Sequence, residues 1–273
     1  MKKIKSDMPG DVVEMACDQK EKAENIFSKL FAELKENIEN KDKVVVSLYG
    51  GSGSGKSSFA VLLAQMFGEK GIGYYVISGD NYPRRIPVEN DMMRQKIYDE
   101  SGVDGLRRYL CGPDEIDYDT INNILEQFKS GKDILSLKRM GTKKEDIWFE
   151  DVDVSDISII ILEWTHGNNE NLKNIDYPIY LHSTPELTYQ RRVKRNRNAN
   201  AGSDFISLVL KLEQEKLLGQ VAGAFTAFHT FQGIYSGNFF DSLCCILGIS
   251  ICISHYFATS SFTPRASARS SVK

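Results

Sequence analysis

Eight residues, Gly50-Gly51-Ser52-Gly53-Ser54-Gly55-Lys56-Ser57, have types and spacing suited to holding phosphate. They fit G-x-x-x-x-G-K-[ST], the phosphate-binding loop. Glycines let the backbone wrap an anion so that several N–H groups point inward at it. A helix beginning at such a loop adds positive potential through its dipole. In this pattern Lys56 reaches the β- and γ-phosphates, Ser57 ligates Mg²⁺, and Ser58 continues the first helical turn. The chemistry implied is ATP binding with Mg²⁺.

The loop needs a strand before it and a helix after it, and the sequence supplies both. Val44 to Tyr49 is β-branched and apolar, as a buried strand should be. Ser58 to Phe67 reads as a helix. A second strand over Tyr74–Ser78 delivers Gly79-Asp80-Asn81-Tyr82-Pro83-Arg84-Arg85. Ligands of open α/β sheets sit outside the carboxyl ends of strands, which places Asp80 beside the loop. There it could accept a proton from an attacking hydroxyl. The lesser alternative is that it caps the next turn. Arg84 and Arg85 could grip an anionic group on an acceptor, or be solvated surface charges.

The apolar run from Ile157 to Leu162 suits a central parallel strand covered on both faces. It ends in Glu163-Trp164-Thr165-His166, where an acid can serve Mg²⁺ from a distance. His166 could touch substrate or be packed for structure. Between these strands lie a charged helix over 89–110 and a helix opened by Asp117-Tyr118-Asp119. Two short strands, from Asp133 to Met140 and from Asp146 to Phe149, form a hairpin that carries Arg139 and Trp148. Tyr177 to Leu181 is a further strand. A helix starting near Thr184 ends in Arg191-Arg192-Val193-Lys194-Arg195-Asn196-Arg197. Such a run is either a solvated face or a lid that neutralises charge on a transferring phosphoryl group. The last amphipathic helix spans Phe205–Leu218.

Composition sets the outer limits. The chain has 273 residues and a formal charge of −3, so nothing points to nucleic acid. The five cysteines show no metal-ligand spacing, and the opening residues do not resemble a signal peptide. This implies a cytoplasmic protein with reduced thiols. Residues 1–15 read as loose, and an amphipathic helix runs from Gln19 to Asn40. The divisions expected are an N-terminal segment over 1–42, a P-loop domain over 43–218 and an atypical tail over 219–273. The body carries 31 Lys and Arg and 36 Asp and Glu, whereas the tail carries three and one. Its apolar stretch, Leu243 to Ile253, falls short of the roughly 20 residues a membrane span needs. The tail is read as dispensable for chemistry.

From Lys43 to Leu218 the sequence resembles the phosphoribulokinase and uridine kinase family of P-loop kinases. Four features carry the resemblance in order: the loop Gly50–Ser57; Asp80-Asn81-Tyr82, similar to the family's Asp-x-[Phe/Tyr]; Glu163-Trp164-Thr165-His166, similar to its Glu-Gly-x-His; and Arg191-Arg192-x-x-Arg195, similar to its lid. The resemblance implies a P-loop NTPase fold of the α/β class. It would be a three-layer sandwich with a mainly parallel sheet, an inserted β-hairpin and an arginine-bearing lid. It implies transfer of the γ-phosphoryl of ATP to a hydroxyl of a small molecule. Asp80 would be the base and Glu163 the Mg²⁺-associated acid. Lys56, Arg191, Arg192 and Arg195 would stabilise charge, and Tyr82, Arg84, Arg85, Arg139 and His166 would face the acceptor. Three departures bear on substrate: Asn196 stands in place of Asp, Trp164 in place of Gly, and Arg139-Met140-Gly141 in place of Pro-x-Tyr-Asp. Gly79-Asp80-Asn81 also resembles adenylylsulfate kinases, which is the alternative enzyme. A nucleotide-dependent regulatory module without acceptor is the alternative of another class. A homo-oligomer is compatible with all of these.

Overall fold

The protein was analysed as a computed structural model that describes residues 4–5, 12–13, 17–182 and 204–232, with side chains over 23–182 and 204–219. Four strands form one parallel sheet: β3 (Val44–Tyr49), β4 (Tyr74–Ser78), β7 (Ile159–Glu163) and β8 (Tyr177–Tyr180), in the order β4-β7-β3-β8. A separate antiparallel hairpin pairs β5 (Ile134–Met140) with β6 (Ile147–Asp153), and Arg139 stands opposite Trp148. Near the N-terminus β1 (Ile4–Lys5) pairs with β2 (Val12–Val13), a short ladder within the stretch expected to be loose. The helices are α1 (Cys17–Glu33), α2 (Lys35–Asn40), α3 (Lys56–Glu69), α4 (Pro87–Tyr109), α5 (Tyr118–Lys129) and α6 (Asp204–Gln232).

The three layers follow from strand alternation. Val44, Val46, Leu48, Ile159, Ile161 and Ile179 face α1 and α3, whose Ile26, Leu30, Leu63 and Phe67 complete that core. Val45, Ile77, Ile160 and Leu162 face the opposite side, against Ile121, Leu125 and Phe128 of α5 and Leu135 and Leu137 of the hairpin. Both faces of the parallel sheet are therefore covered, as parallel sheets require. The apolar face expected for α5 is the face it buries. Asp117 caps that helix through Thr120 N at 3.2 Å.

Three boundaries differ from the sequence reading. The first helix breaks at Leu34 into α1 and α2. In α4, Gly102 sits at φ 62° and ψ −161°, which interrupts the helix between its charged first half and Leu106. The last helix continues to Gln232, past the compositional change at Gly219. Helix propensity does not depend on charge content, so a drop in charged residues leaves the backbone free to continue. The other tail residues, 233–273, lie outside the described residues.

A buried ionic network joins α4, the 110–117 turn and α6. Glu115 is fully buried. Its Oε1 accepts from Arg94 Nε at 2.6 Å and Asn90 Nδ2 at 2.9 Å, and its Oε2 accepts from the Cys111 N–H at 2.6 Å. Arg94 Nη2 donates to Glu213 Oε1 at 2.8 Å. Removing one partner of such a set leaves a buried charge uncompensated, which costs about 3–5 kcal/mol. Arg94→Leu should therefore lower unfolding free energy by roughly that amount. Arg94→Leu combined with Glu115→Leu should cost less than the sum of the single changes. Chemical denaturation of the three variants measures this.

Candidate active site

The loop between β3 and α3 is shaped by its glycines. Gly50, Gly53 and Gly55 have φ values of 153°, 83° and 96°, a region that side chains disfavour. A Cβ on Gly50 would lie 2.3 Å from the Leu181 carbonyl oxygen at the end of β8. The loop is thus pressed onto the sheet edge, and glycine is required there for space as well as for conformation. Gly51, Ser52 and Ser54 complete the turn, with Ser54 N donating to Gly51 O at 3.1 Å. Lys56 is buried as the first residue of α3, and its Nζ donates to Gly50 O at 3.0 Å and Gly51 O at 3.2 Å. Ser57 and Ser58 are the next two residues, in the first turn of the helix.

Register brings the second half of the site to this loop. In the parallel ladders Glu163 stands opposite both Leu48 on β3 and Ser78 on β4. Glu163 is buried, and its backbone stands between Leu48, one residue before the end of β3, and Ser78, the last residue before the turn that carries Asp80. Asp80 sits exposed in the short 3-10 turn Gly79–Asn81. The buried Asn81 beneath it accepts from Met140 N at 3.0 Å, which ties the turn to the hairpin. Tyr82 is fully buried in the α5-side core, so it supports the turn and does not line an open surface.

His166 lies at the convergence of these elements. Burial is the main force on its imidazole and pushes its pKa down to about 4; Glu115 and Asp80 oppose this, and Arg94 and Lys56 reinforce it. It is half-buried, and its ring meets Trp164 edge-on at 5.4 Å. It is therefore a neutral ring at neutral pH, able to donate one hydrogen bond and accept another.

The arginines expected to face an acceptor have structural partners. Arg84 donates through Nε to Pro113 O at 2.5 Å and pairs with Asp119 at 3.3 Å. Arg85 Nη1 donates to Asp114 O at 2.9 Å and Tyr109 OH at 3.1 Å. Both brace the 109–119 segment against the Asp80 turn. Arg139 is buried between Glu150 and Tyr75 OH, each at 2.9 Å, as a brace of the hairpin. Arg191, Arg192 and Arg195 lie outside the described residues. The sequence reading missed Asn90, Arg94, Glu115 and Glu213, since charged residues on a helix read as a solvated face and their partners are far apart in sequence.

The site fits a magnesium nucleotide. A glycine loop at a helix N-terminus, a buried lysine, a serine hydroxyl and a nearby carboxylate are its donor set. Mg²⁺ takes oxygen ligands and usually keeps waters and substrate phosphates, so it needs few protein groups. Among the described residues, no group of three or more His, Cys, Asp or Glu side chains could hold a metal ion by itself, and no helix is long and apolar enough to cross a membrane.

A parallel α/β sandwich with this loop and a strand-end acid beside it defines a P-loop protein of the kinase type. The sequence model of the phosphoribulokinase / uridine kinase family matches residues 45–213, and the chain belongs to that family. It is 45% identical over 207 residues to a bifunctional alpha-galactosidase/sucrose kinase of Mediterraneibacter gnavus. That match covers 76% of this chain and 22% of the relative, so the chain spans about a fifth of the relative's length. Among solved structures it is similar to a possible uridine kinase from Bacillus stearothermophilus, with 20% identity and a TM-score of 0.47, covering 66% of this chain and 90% of that one. It is also similar to phosphoribulokinase from Rhodobacter spheroides, with 15% identity and a TM-score of 0.48, covering 67% of each chain.

The neutral state of His166 has a consequence for stability. Its folded pKa, about 4, lies below the ordinary value of about 6.5, so between these values the unfolded chain binds more protons. Stability from this group is present above pH 6.5 and is lost as pH falls toward 4. The interval from 6.5 to 4 corresponds to about 3 kcal/mol at most, and the ring's partial exposure to solvent reduces the expected loss to the order of 2 kcal/mol. His166→Gln should flatten the stability profile in that window, as read by urea melts from pH 4 to 7.

Proposed function

We propose that the protein is an ATP-dependent kinase that transfers the γ-phosphoryl group to a hydroxyl of a small carbohydrate, with sucrose the first acceptor to test. The observation that carries the transfer is the placement of Asp80 and Glu163 at adjoining strand ends beside the Gly50–Ser57 loop. The sugar as acceptor is suggested by the 45% identical relative, whose name describes a sucrose kinase. The family match gives no support to the adenylylsulfate alternative, which rests on Gly79-Asp80-Asn81 and the loop alone.

In this reading the loop N–H groups hold the phosphates. Asp80, open to solvent at the strand end, orients the acceptor hydroxyl and takes its proton as the bond from that oxygen to the γ-phosphorus forms and the bond from the γ-phosphorus to the departing ADP oxygen breaks. Lys56 leaves the loop carbonyls to neutralise charge on the β- and γ-phosphates. Ser57 and, at longer range, Glu163 would hold Mg²⁺, which supplies charge neutralisation across the phosphates. The neutral His166 imidazole offers a hydrogen bond to an uncharged hydroxyl without adding a charge to the acceptor side. Arg191, Arg192 and Arg195 are proposed to close over the transferring group.

The purified protein should consume ATP in the presence of sucrose, and the phosphorylated sugar should be detected by mass spectrometry. A panel of monosaccharides, disaccharides and uridine sets the acceptor class. Transfer to uridine alone would overturn the carbohydrate reading. Lys56→Ala should abolish transfer. Asp80→Asn should keep ATP binding and slow turnover by about 10²–10⁴-fold, the scale of a lost general base. Parallel loss of nucleotide affinity would assign Asp80 to metal or structure instead.

A further inference from the structure

Trp164 directly succeeds the acid at the end of β7, and its indole is only 2% exposed. It is too enclosed to stack on a substrate. Its contacts nevertheless run to His166 and to the residue that precedes Asp80. A Cβ built on Gly79 would fall 2.0 Å from Trp164 Cγ and 2.1 Å from Cδ2, inside the ring's own volume. The indole therefore rests on the backbone of the residue immediately before Asp80. Its aromatic neighbours include the His166 ring, edge-on with centroids 5.4 Å apart, and the Tyr118 ring at 5.7 Å. Its backbone N–H donates to Leu48 O at 3.0 Å, which fixes it to the strand that enters the phosphate loop.

One rigid side chain thus touches the turn that bears Asp80, the imidazole of His166 and, through its backbone, the strand that feeds the loop. Gly79 has no slack: Tyr82 N donates to its carbonyl at 3.0 Å on one side while the indole fills its Cβ position on the other. Polar partners hold Asn81 from the hairpin, and the apolar contact holds Gly79 from β7. The exposed Asp80 carboxylate is carried between these two anchors.

We infer that Trp164 is a positioning residue for the acceptor side of the site, interlocked with Gly79 so that the indole sets where Asp80 and His166 stand relative to the phosphate loop. This rests on the reading of Asp80 as the group that meets the acceptor hydroxyl. The indole touches no reacting atom. Its effect is geometric, and a displacement of about 1 Å at a reacting group can cost about 10²-fold in rate.

The interlock predicts compensation between two positions. Gly79→Ala, which drives a methyl group into the indole, should lower kcat with sucrose by about 10²-fold at saturating ATP, with nucleotide affinity unchanged. Adding Trp164→Leu to Gly79→Ala makes room for that methyl and should restore part of the loss. Trp164→Phe, the conservative change, should fold, bind ATP normally and lose about tenfold in kcat, in line with a smaller displacement. ATP binding by calorimetry, melting temperature and steady-state kinetics are measured on each variant beside Asp80→Asn. A lower melting temperature for Trp164→Phe with unchanged kcat and acceptor KM would overturn the inference and leave a core tryptophan. So would a double variant no faster than Gly79→Ala, or a Gly79→Ala protein of full activity. If Asp80→Asn keeps full turnover, or no acceptor supports transfer, the reading of the site falls and the positioning role falls with it. If Asp80→Asn is slow while the Gly79 and Trp164 variants are normal, only the positioning role is lost.

Discussion

Two parallel ladders, one on each side of β7, hold Leu48, Glu163 and Ser78 side by side at one rim of the sheet. Each of these residues is the last or nearly the last of its strand. The phosphate loop, the Trp164–His166 turn and the Asp80 turn all leave the sheet from this rim. A slip of one residue in either ladder would turn the β7 side chains to the opposite face of the sheet. Ile159 and Ile161 would leave the α1–α3 core, and Ile160 and Leu162 would leave the α5 core. Packing on both faces therefore fixes register, and register fixes the relative heights of the candidate acid, base and lysine. The geometry of the candidate site is held by hydrophobic burial away from the Gly50–Ser57 loop.

The second constraint is electrostatic. The rim gathers charge: Asp80, Lys56, Glu115 and Arg94 all act electrostatically on one histidine. Buried charges persist only when paired and hydrogen-bonded. Glu115 meets that condition with three donors, and Arg94 meets it with two carboxylates. The Cys111 peptide extends the arrangement. Its N–H donates to Glu115, and its carbonyl accepts from Tyr118 OH at 2.9 Å and Asn169 Nδ2 at 3.3 Å. Asn169 in turn donates its backbone N–H to His166 O. Cys111 itself has φ 58°, a strained value for a residue with a side chain, held by hydrogen bonds on both sides. Burial and nearby carboxylates raise its thiol pKa well above the ordinary range, so its part is structural.

The legible part of the sequence is local. The loop, its strand and its helix are contiguous, and the apolar runs of β3, β4, β7 and β8 carry their own signal. Asp80 and Glu163 can be placed because strand ends are a topological address, independent of side-chain contacts. The arginines show the limit of such reading. Arg84 and Arg85 lie just beyond Asp80 in the chain and have the look of an anion clamp, yet their hydrogen bonds go to residues 109–119, which approach only when the chain folds. Arg94 and Glu213 are separated by 119 residues, and no period or motif marks them as partners. The end of the final helix escapes the sequence for a related reason. A change in composition at Gly219 signals a change of surface character, while the backbone of α6 responds to local helix propensity and continues to Gln232.

Trp164 shows how a departure from a family pattern can be read physically. The resemblance has glycine at this position, and a glycine there would leave the space above Gly79 unfilled. Here Trp164 supplies the ring and Gly79 the space, and the two pack together where β4 and β7 end. A glycine beside the acid would leave the Asp80 turn free to shift toward β7, whereas the indole blocks that movement and adds an edge contact to His166. The acceptor side is then stiff where the phosphate side is glycine-rich. That asymmetry suits a reaction in which phosphates must be wrapped by a loop of adaptable backbone while one hydroxyl among several similar ones must be brought to a fixed carboxylate. In the proposed carbohydrate kinase, where the acceptor's hydroxyls would differ little in chemistry, a rigidly held Asp80 would be a physical means of choosing among them.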